Sequence, residues 1–230
     1  MSYTVKCNCG EHYDITGDEE ADKHIACPVC GSKDGIISGL EVVALSSTTG
    51  MDTILIRRPP LDFLLKTIIV PRGRSTEGRI IEAVAIPWLE IIALMKDDPS
   101  KAFEIPPDKW EEIVAGAYTR AGFDEVILTP RSGDRGRDVI AVKKSIGYVR
   151  VIDQVKAYKP GHLVNANDVR ALMGVLQGDG ASKAFLTTTS DFAPRIKDDP
   201  LIVPFIPTRL ELINGPTLLG RLWELSGKYE

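Results

Sequence analysis

The chain has 230 residues, 43% of them hydrophobic and 26% charged, which is ordinary for a globular protein and exceeds one typical domain of roughly 150 residues. No apolar run stands behind a basic start in MSYTVKCNCG, and the longest apolar stretch, Ala83 to Met95, is broken by Pro87 and Glu90. A secretory leader and a membrane span are therefore not expected, and a cytoplasmic location is.

A net charge of −4 and a pI near 5.5 argue against a uniformly basic nucleic-acid binder. The charge is uneven, however. Residues 131 to 160 carry eight basic residues (Arg131, Arg135, Arg137, Lys143, Lys144, Arg150, Lys156, Lys159) against three acids, Asp134, Asp138 and Asp153. A solvated surface and an anion-binding surface both fit that excess.

All four cysteines fall within the first 30 residues, as Cys7-x-Cys9 and Cys27-x-x-Cys30 with 17 residues between the pairs. In a reducing compartment such pairs point to metal rather than disulfides. Four thiolates satisfy tetrahedral Zn²⁺, and a module this small needs the metal to fold. Cys27-Pro-Val-Cys-Gly31 resembles a zinc-ribbon knuckle; the first pair is one residue shorter than usual. Residues 1–34 are thus expected to be a small β-rich zinc-ribbon-like module ligated by its four cysteines, in which His12 and His24 are not needed. Chance reduced thiols are the competing reading.

Residues 35–100 form an intermediate region whose role is not legible. Short β-branched runs at Glu41–Leu45, Thr53–Ile56 and Thr67–Val70 suggest strands, and Trp88–Met95 a helix stopped by Pro99. From residue 101 the pattern becomes regular. Trp110, Ile113, Val114, Ala117, Tyr118 and Ala121 have amphipathic helical spacing, with Gly122 as the stop. Strands are expected at Glu125–Thr129, Arg137–Lys143 and Tyr148–Lys156. A helix through Val169, Leu172, Met173 and Leu176 follows, then a buried strand, Ala184–Thr188. Leu201–Ile206 suggests another strand, and Leu218, Leu219, Leu222 and Leu225 a last helix. Helix, three strands, helix, strand defines an α/β domain over 101–230 with a mixed central sheet flanked by helices.

Within it, Asp138 begins an apolar strand, and sixteen residues later the next strand presents Gln154-Val155-Lys156. Alternation puts Gln154 and Lys156 on one face, and a hairpin pairing would bring Asp138 to them. A carboxylate with neutral oxygen donors suits Mg²⁺, and a nearby lysine can orient water or stabilise developing charge, so the group fits phosphodiester hydrolysis. A salt bridge between Asp138 and Lys156 is the alternative. Thr187, Thr188, Thr189 and Ser190 follow the buried strand and are expected to open a helix, either gripping a phosphate or capping it. Asp153 should face away from Gln154 and is read as structural; His162 is read as incidental.

The stretches GDRGRDVIAV (133–142), DQVKAYKPG (153–161) and LTTTSDF (186–192), preceded by PPDKWEEIVAGAYTRAGFDEV (106–126), resemble the Mrr-like branch of the PD-(D/E)XK nuclease superfamily, a restriction endonuclease family. The resemblance covers roughly residues 101 to 220. It implies a restriction-endonuclease-like fold and Mg²⁺-dependent cleavage of DNA, often DNA with modified or methylated bases. By position it makes Asp138 the central metal ligand, Gln154 the occupant of a place where many relatives in the wider superfamily have an acid, and Lys156 the catalytic lysine. It also selects Glu111, after Trp110, as the helix glutamate. At 100° per residue Glu111 flanks the apolar stripe, about 80° from its centre, while Glu112 points to the opposite side and is expected to be solvated. With a neutral Gln154, the site is expected to hold Mg²⁺ weakly until a DNA phosphate joins it. Double-strand cutting would need two such sites, which suggests a homodimer. The rival readings are a non-catalytic DNA-binding or regulatory module on a nuclease fold, and a zinc-ribbon adaptor acting through protein partners.

Overall fold

The computed structural model describes residues 2–7, 12–16, 35–37, 40–45, 53–57, 60–130, 136–145 and 147–227. The chain divides into two compact units, Met1–Leu64 and Leu65–Glu230. In the first, β1 (Ser2–Cys7), β2 (His12–Thr16), β3 (Gly35–Ile37), β4 (Leu40–Leu45) and β5 (Thr53–Arg57) form an antiparallel sheet in the order β2-β1-β3-β4-β5. Val5 of β1 stands opposite Tyr13 on one side and Ile37 on the other. Cys7 ends β1 with its backbone opposite Gly35. Its side chain, and Cys9, Cys27 and Cys30, lie outside the described residues, and with them the expected zinc site.

A short helix, α1 (Leu61–Lys66), crosses the boundary between the units. The second unit holds a seven-stranded mixed sheet in the order β12-β11-β10-β9-β8-β7-β6. Its strands are β6 (Ile69–Arg74), β7 (Arg79–Ala83), β8 (Glu125–Leu128), β9 (Val139–Lys144), β10 (Tyr148–Lys156), β11 (Lys183–Thr188) and β12 (Leu210–Ile213). β10, β11 and β12 run parallel, and the remaining neighbours are antiparallel. The helices are α2 (Ala85–Asp97), α3 (Pro107–Arg120), α4 (Ala166–Asp179) and α5 (Gly215–Ser226).

Each face of the sheet has its own helical layer. β9 reads Val-Ile-Ala-Val without polar alternation because all four residues are buried, one pair under each layer. On one side α4 lays Val169, Leu172 and Leu176 over Ile140, Ile152 and Leu186. A capping box starts α4: the Asn165 side chain accepts from the Asn167 and Asp168 amides, and Asp168 accepts from the Asn165 amide. Gly180, at φ 74°, ends it in the left-handed conformation that favours glycine. On the other side lie α3, α2 and α5. The Trp88 indole of α2 donates to Ile113 O of α3 at 3.0 Å, and Trp110 donates to Ala102 O at 2.9 Å. Both rings are fully buried. Gly116 permits this approach, since a Cβ there would stand 2.6 Å from Trp88 Cδ1.

Two elements differ from the sequence expectation. Leu201–Ile206 is not a strand but a run of turns with a 3-10 segment at Val203–Phe205. Pro204 and Pro207 deny it the amide donors a ladder needs. The last strand is instead Leu210–Ile213. The stretch 35–100, one region by sequence, is divided: its first part belongs to the smaller unit, and β6 and β7 extend the large sheet. Among the described residues no helix is long and apolar enough to cross a membrane.

Candidate active site

β9 and β10 pair with Ile140 opposite Ile152 and Val139 opposite Asp153. The Asp138 amide also donates to Asp153 O at 2.9 Å, one position out of step with that register. Gln154 and Lys156, the last residue of β10, share one face of that strand by alternation, and Asp138 stands just before β9 beside Asp153. Gly136, two residues before Asp138, is at φ 76°. A Cβ there would come within 3.8 Å of Gln154 Nε2 and 3.2 Å of Val175 Cγ2. The glycine thus keeps the space beside Gln154 open. Asp138 Oδ2 accepts from the Val155 amide at 2.7 Å. Gln154, Lys156 and Asp138 are each half-buried. Lys156 forms no ion pair among the described residues, so the salt bridge with Asp138 that the residue types allow is not made.

Glu111 reaches this end of the sheet from the opposite layer. It is half-buried in α3 and lines a cavity of about 540 Å³ with Arg74, Arg79, Asp108 and Thr129. Thr129 is the link: its amide donates to Asp138 O at 3.1 Å and its hydroxyl to Arg137 O at 2.6 Å. Asp138, Gln154 and Lys156 are not among the cavity's lining residues. The structure thus brings the Asp138 carboxylate onto β10 between Gln154 and Lys156, and sets Glu111 in a cavity that shares Thr129 with the Asp138 backbone. Glu112 is not the solvated residue expected from helix phase. Its side chain is 13% exposed and pairs with Lys109 at 2.7 Å, lining the same cavity.

Directly behind Gln154, Asp153 points into the α3 layer and is 1% exposed. Tyr118 Oη donates to its Oδ2 at 2.9 Å and Thr187 Oγ1 at 3.1 Å, while Oδ1 has no hydrogen-bond partner among the described residues. Burial pushes its carboxyl up to about 8; the Thr187 and Tyr118 hydrogen bonds oppose that rise, and Asp138 adds to it. Tyr118 is driven well above its ordinary value by the same burial and by the neighbouring Asp153.

An ion cluster also adjoins Asp138. Asp179, 3% exposed at its side chain, sits between Arg137 and Arg150, with Arg150 Nε at 2.7 Å. Glu77 closes the cluster, 3.1 Å from Arg137 and 2.7 Å from Arg150. The Arg150 hydrogen bond leads the causes that hold the Glu77 carboxyl below its usual range. By sequence, Arg137 and Arg150 count only as surface charge. The acidic partners of Arg150 lie 73 and 29 residues away, so no local signal exposes the cluster.

The Thr-Thr-Thr-Ser run opens no helix. Its hydroxyls are spent internally: Thr187 on Asp153, Thr188 on Lys156 O at 2.7 Å and Thr189 on Tyr158 O at 2.7 Å. Phosphate gripping by these three hydroxyls is therefore not supported.

Toward a divalent cation, the available donors are the Asp138 carboxylate and the Gln154 amide oxygen, with the Glu111 carboxylate on the adjoining layer. All are hard oxygens, the type Mg²⁺ prefers. Among the described residues no three His, Cys, Asp or Glu gather into a cluster able to hold a metal. The donor chemistry fits a weakly held Mg²⁺.

The fold is that of the restriction endonuclease class. A family model described as "Restriction endonuclease", of the Mrr catalytic type, matches residues 103–221. The chain belongs to that family. Among solved structures, it is similar to MspJI restriction endonuclease in complex with a 27-mer oligonucleotide, at 18% identity and a TM-score of 0.43, over 60% of this chain and 33% of that one. It is also similar to the DNA modification-dependent restriction endonuclease AspBHI, at 17% identity and a TM-score of 0.40, over 77% of this chain and 42% of that one. The aligned regions span less than half of either of those chains. No curated protein matches the sequence.

Proposed function

We propose that this protein is a Mg²⁺-dependent DNA endonuclease serving restriction of foreign or modified DNA. The observation that carries this reading is the Asp138 carboxylate held on β10 by the Val155 amide, between Gln154 and Lys156, inside a domain of the restriction endonuclease family. Asp138 and Gln154 hold the cation and Glu111 supports it from the α3 layer. Mg²⁺ supplies Lewis-acid polarisation of the scissile phosphate and makes water more acidic. Lys156, free of any ion pair among the described residues, orients the attacking water or stabilises charge on the phosphoryl oxygens. One acid and one amide bind Mg²⁺ poorly by themselves, so a DNA phosphate completes the site.

Residues 1–34 are proposed to form a structural zinc module through Cys7, Cys9, Cys27 and Cys30, and the active form to be a homodimer with one site per strand. The test is incubation of methylated and unmethylated plasmid with protein and Mg²⁺. The reading expects Mg²⁺-dependent cutting of at least one of them. Neutral Gln154 favours a second reading, a DNA-binding module without catalysis, which predicts binding but no cutting with Mg²⁺ or Mn²⁺.

A further inference from the structure

Two loops leave the site end of the sheet side by side, 157–164 after β10 and 189–195 after β11. They are laced together. Thr189 donates from its amide to Lys156 O at 3.3 Å and from its hydroxyl to Tyr158 O at 2.7 Å. Further out, the Val164 amide donates to Asp191 O at 2.9 Å and the Ala193 amide to Val164 O at 2.8 Å. His162 stacks on Tyr158 with ring centroids 4.0 Å apart, which stiffens the first loop.

This double loop is basic and its cations are unspent. Lys159 and Arg195 are exposed on it, Lys197 is exposed in the 3-10 turn Ile196–Asp198 that follows, and half-buried Lys156 stands at the root. Segments 154–163 and 192–197 contain no Asp or Glu; Asp191 and Asp198 flank the second. Among the described residues none of the four cations makes an ion pair or a side-chain hydrogen bond, whereas Arg137, Arg150, Arg170, Lys183 and Arg221 are all paired.

Arg195 is also the one non-glycine at positive φ among the described residues, at φ 68° and ψ 2°. A side chain with a Cβ is strained there, and glycine would relieve the strain. Among the described residues nothing repays it, because the guanidinium is exposed and makes no ion pair or side-chain hydrogen bond there. Strain retained at a position that does not help folding marks a residue kept for binding.

We propose that the double loop is a phosphate track, on which Arg195, with Lys159 and Lys197, grips a DNA backbone and feeds it past Lys156. This rests on the reading that the site acts on DNA. An extended polyanion fits better than a small anion, because the cations are spread along two loops.

The test is fluorescence anisotropy with a short labelled DNA duplex, without divalent metal so that nothing is cut, over roughly 50 to 200 mM salt. Arg195→Gly and Lys159→Ala are each expected to weaken binding roughly three- to tenfold and to flatten the log affinity against log salt slope by about one. Arg195→Gly is expected to melt no lower than wild type, since it removes strain. Wild-type affinity and slope in Arg195→Gly would overturn the track, as would weaker binding with an unchanged slope. Failure of the wild-type protein itself to bind DNA at low salt would instead overturn the underlying reading.

Discussion

The Asp138 carboxylate is pinned to β10 by the Val155 amide, which donates to Oδ2 at 2.7 Å from between Gln154 and Lys156. One hydrogen bond thus fixes the acid against the strand that carries its two partners. Asp138 therefore has a structural and a chemical role, and substitutions should separate them. Asp138→Asn keeps an oxygen for the Val155 amide and should fold with near wild-type stability. Asp138→Ala leaves that amide unpaired and should lose about 1–3 kcal/mol. Urea unfolding of the two variants reads the difference, and neither should cut DNA.

Gln154 is the point at which the metal site is weak. Gln154→Glu adds a second acid on the strand that holds the Asp138 carboxylate and should tighten Mg²⁺ binding in the absence of DNA by about tenfold or more. Calorimetric titration of both proteins measures this; equal weak binding would mean that the two side chains do not share a cation.

Asp153 gives the protein a pH dependence with a definite sign. Its carboxyl titrates at about 8 in the fold, above its ordinary 3.8 in the unfolded chain, so the folded state holds a proton the unfolded state has lost between those values. Its contribution is fully present below about 4, falls by about 1.4 kcal/mol per pH unit as pH rises, and is flat above about 8. Asp153→Asn removes this slope while keeping an acceptor for Tyr118 and Thr187. Urea midpoints from pH 5 to 8 should decline in wild type more steeply than in the variant.

Much of this is readable from residue order, and the limits have physical causes. The helix carrying Trp110 and the strands around Asp138 and Lys156 have strong local periodicity, so their elements and the shared face follow from alternation alone. β12 escapes such a reading because the apolar run at 201–206 looks more strand-like than Leu210–Ile213, until the prolines are weighed against ladder hydrogen bonds. β6 and β7 give no sign that they extend the large sheet, because β7 pairs with β8 across 47 to 49 residues (Ile80 with Ile127, Arg79 with Leu128). Alternation correctly turns Asp153 away from Gln154, but its burial depends on α3 and β11 closing over it. The left-handed Arg195 has no sequence signal, since only glycine, asparagine and aspartate advertise that conformation.

The Glu77, Arg137, Asp179 and Arg150 cluster makes a further prediction. Asp179 is the buried centre, so Asp179→Ala leaves Arg137 and Arg150 only the more exposed Glu77 and should destabilise by about 3 kcal/mol. Glu77→Gln, at the more exposed rim, should cost much less. Chemical unfolding of each variant checks the order. Arg137 adjoins Asp138 in sequence, so loosening the cluster should also slow DNA cutting.

The central claim is that Asp138 and Lys156 act on a phosphodiester. It is tested most directly by the rate of supercoiled plasmid cutting in Mg²⁺ for wild type, Asp138→Asn and Lys156→Ala, with each variant shown to be folded and to bind DNA. The account predicts cutting by wild type and losses of about a hundredfold or more in both variants. Wild-type rates in either variant would contradict it.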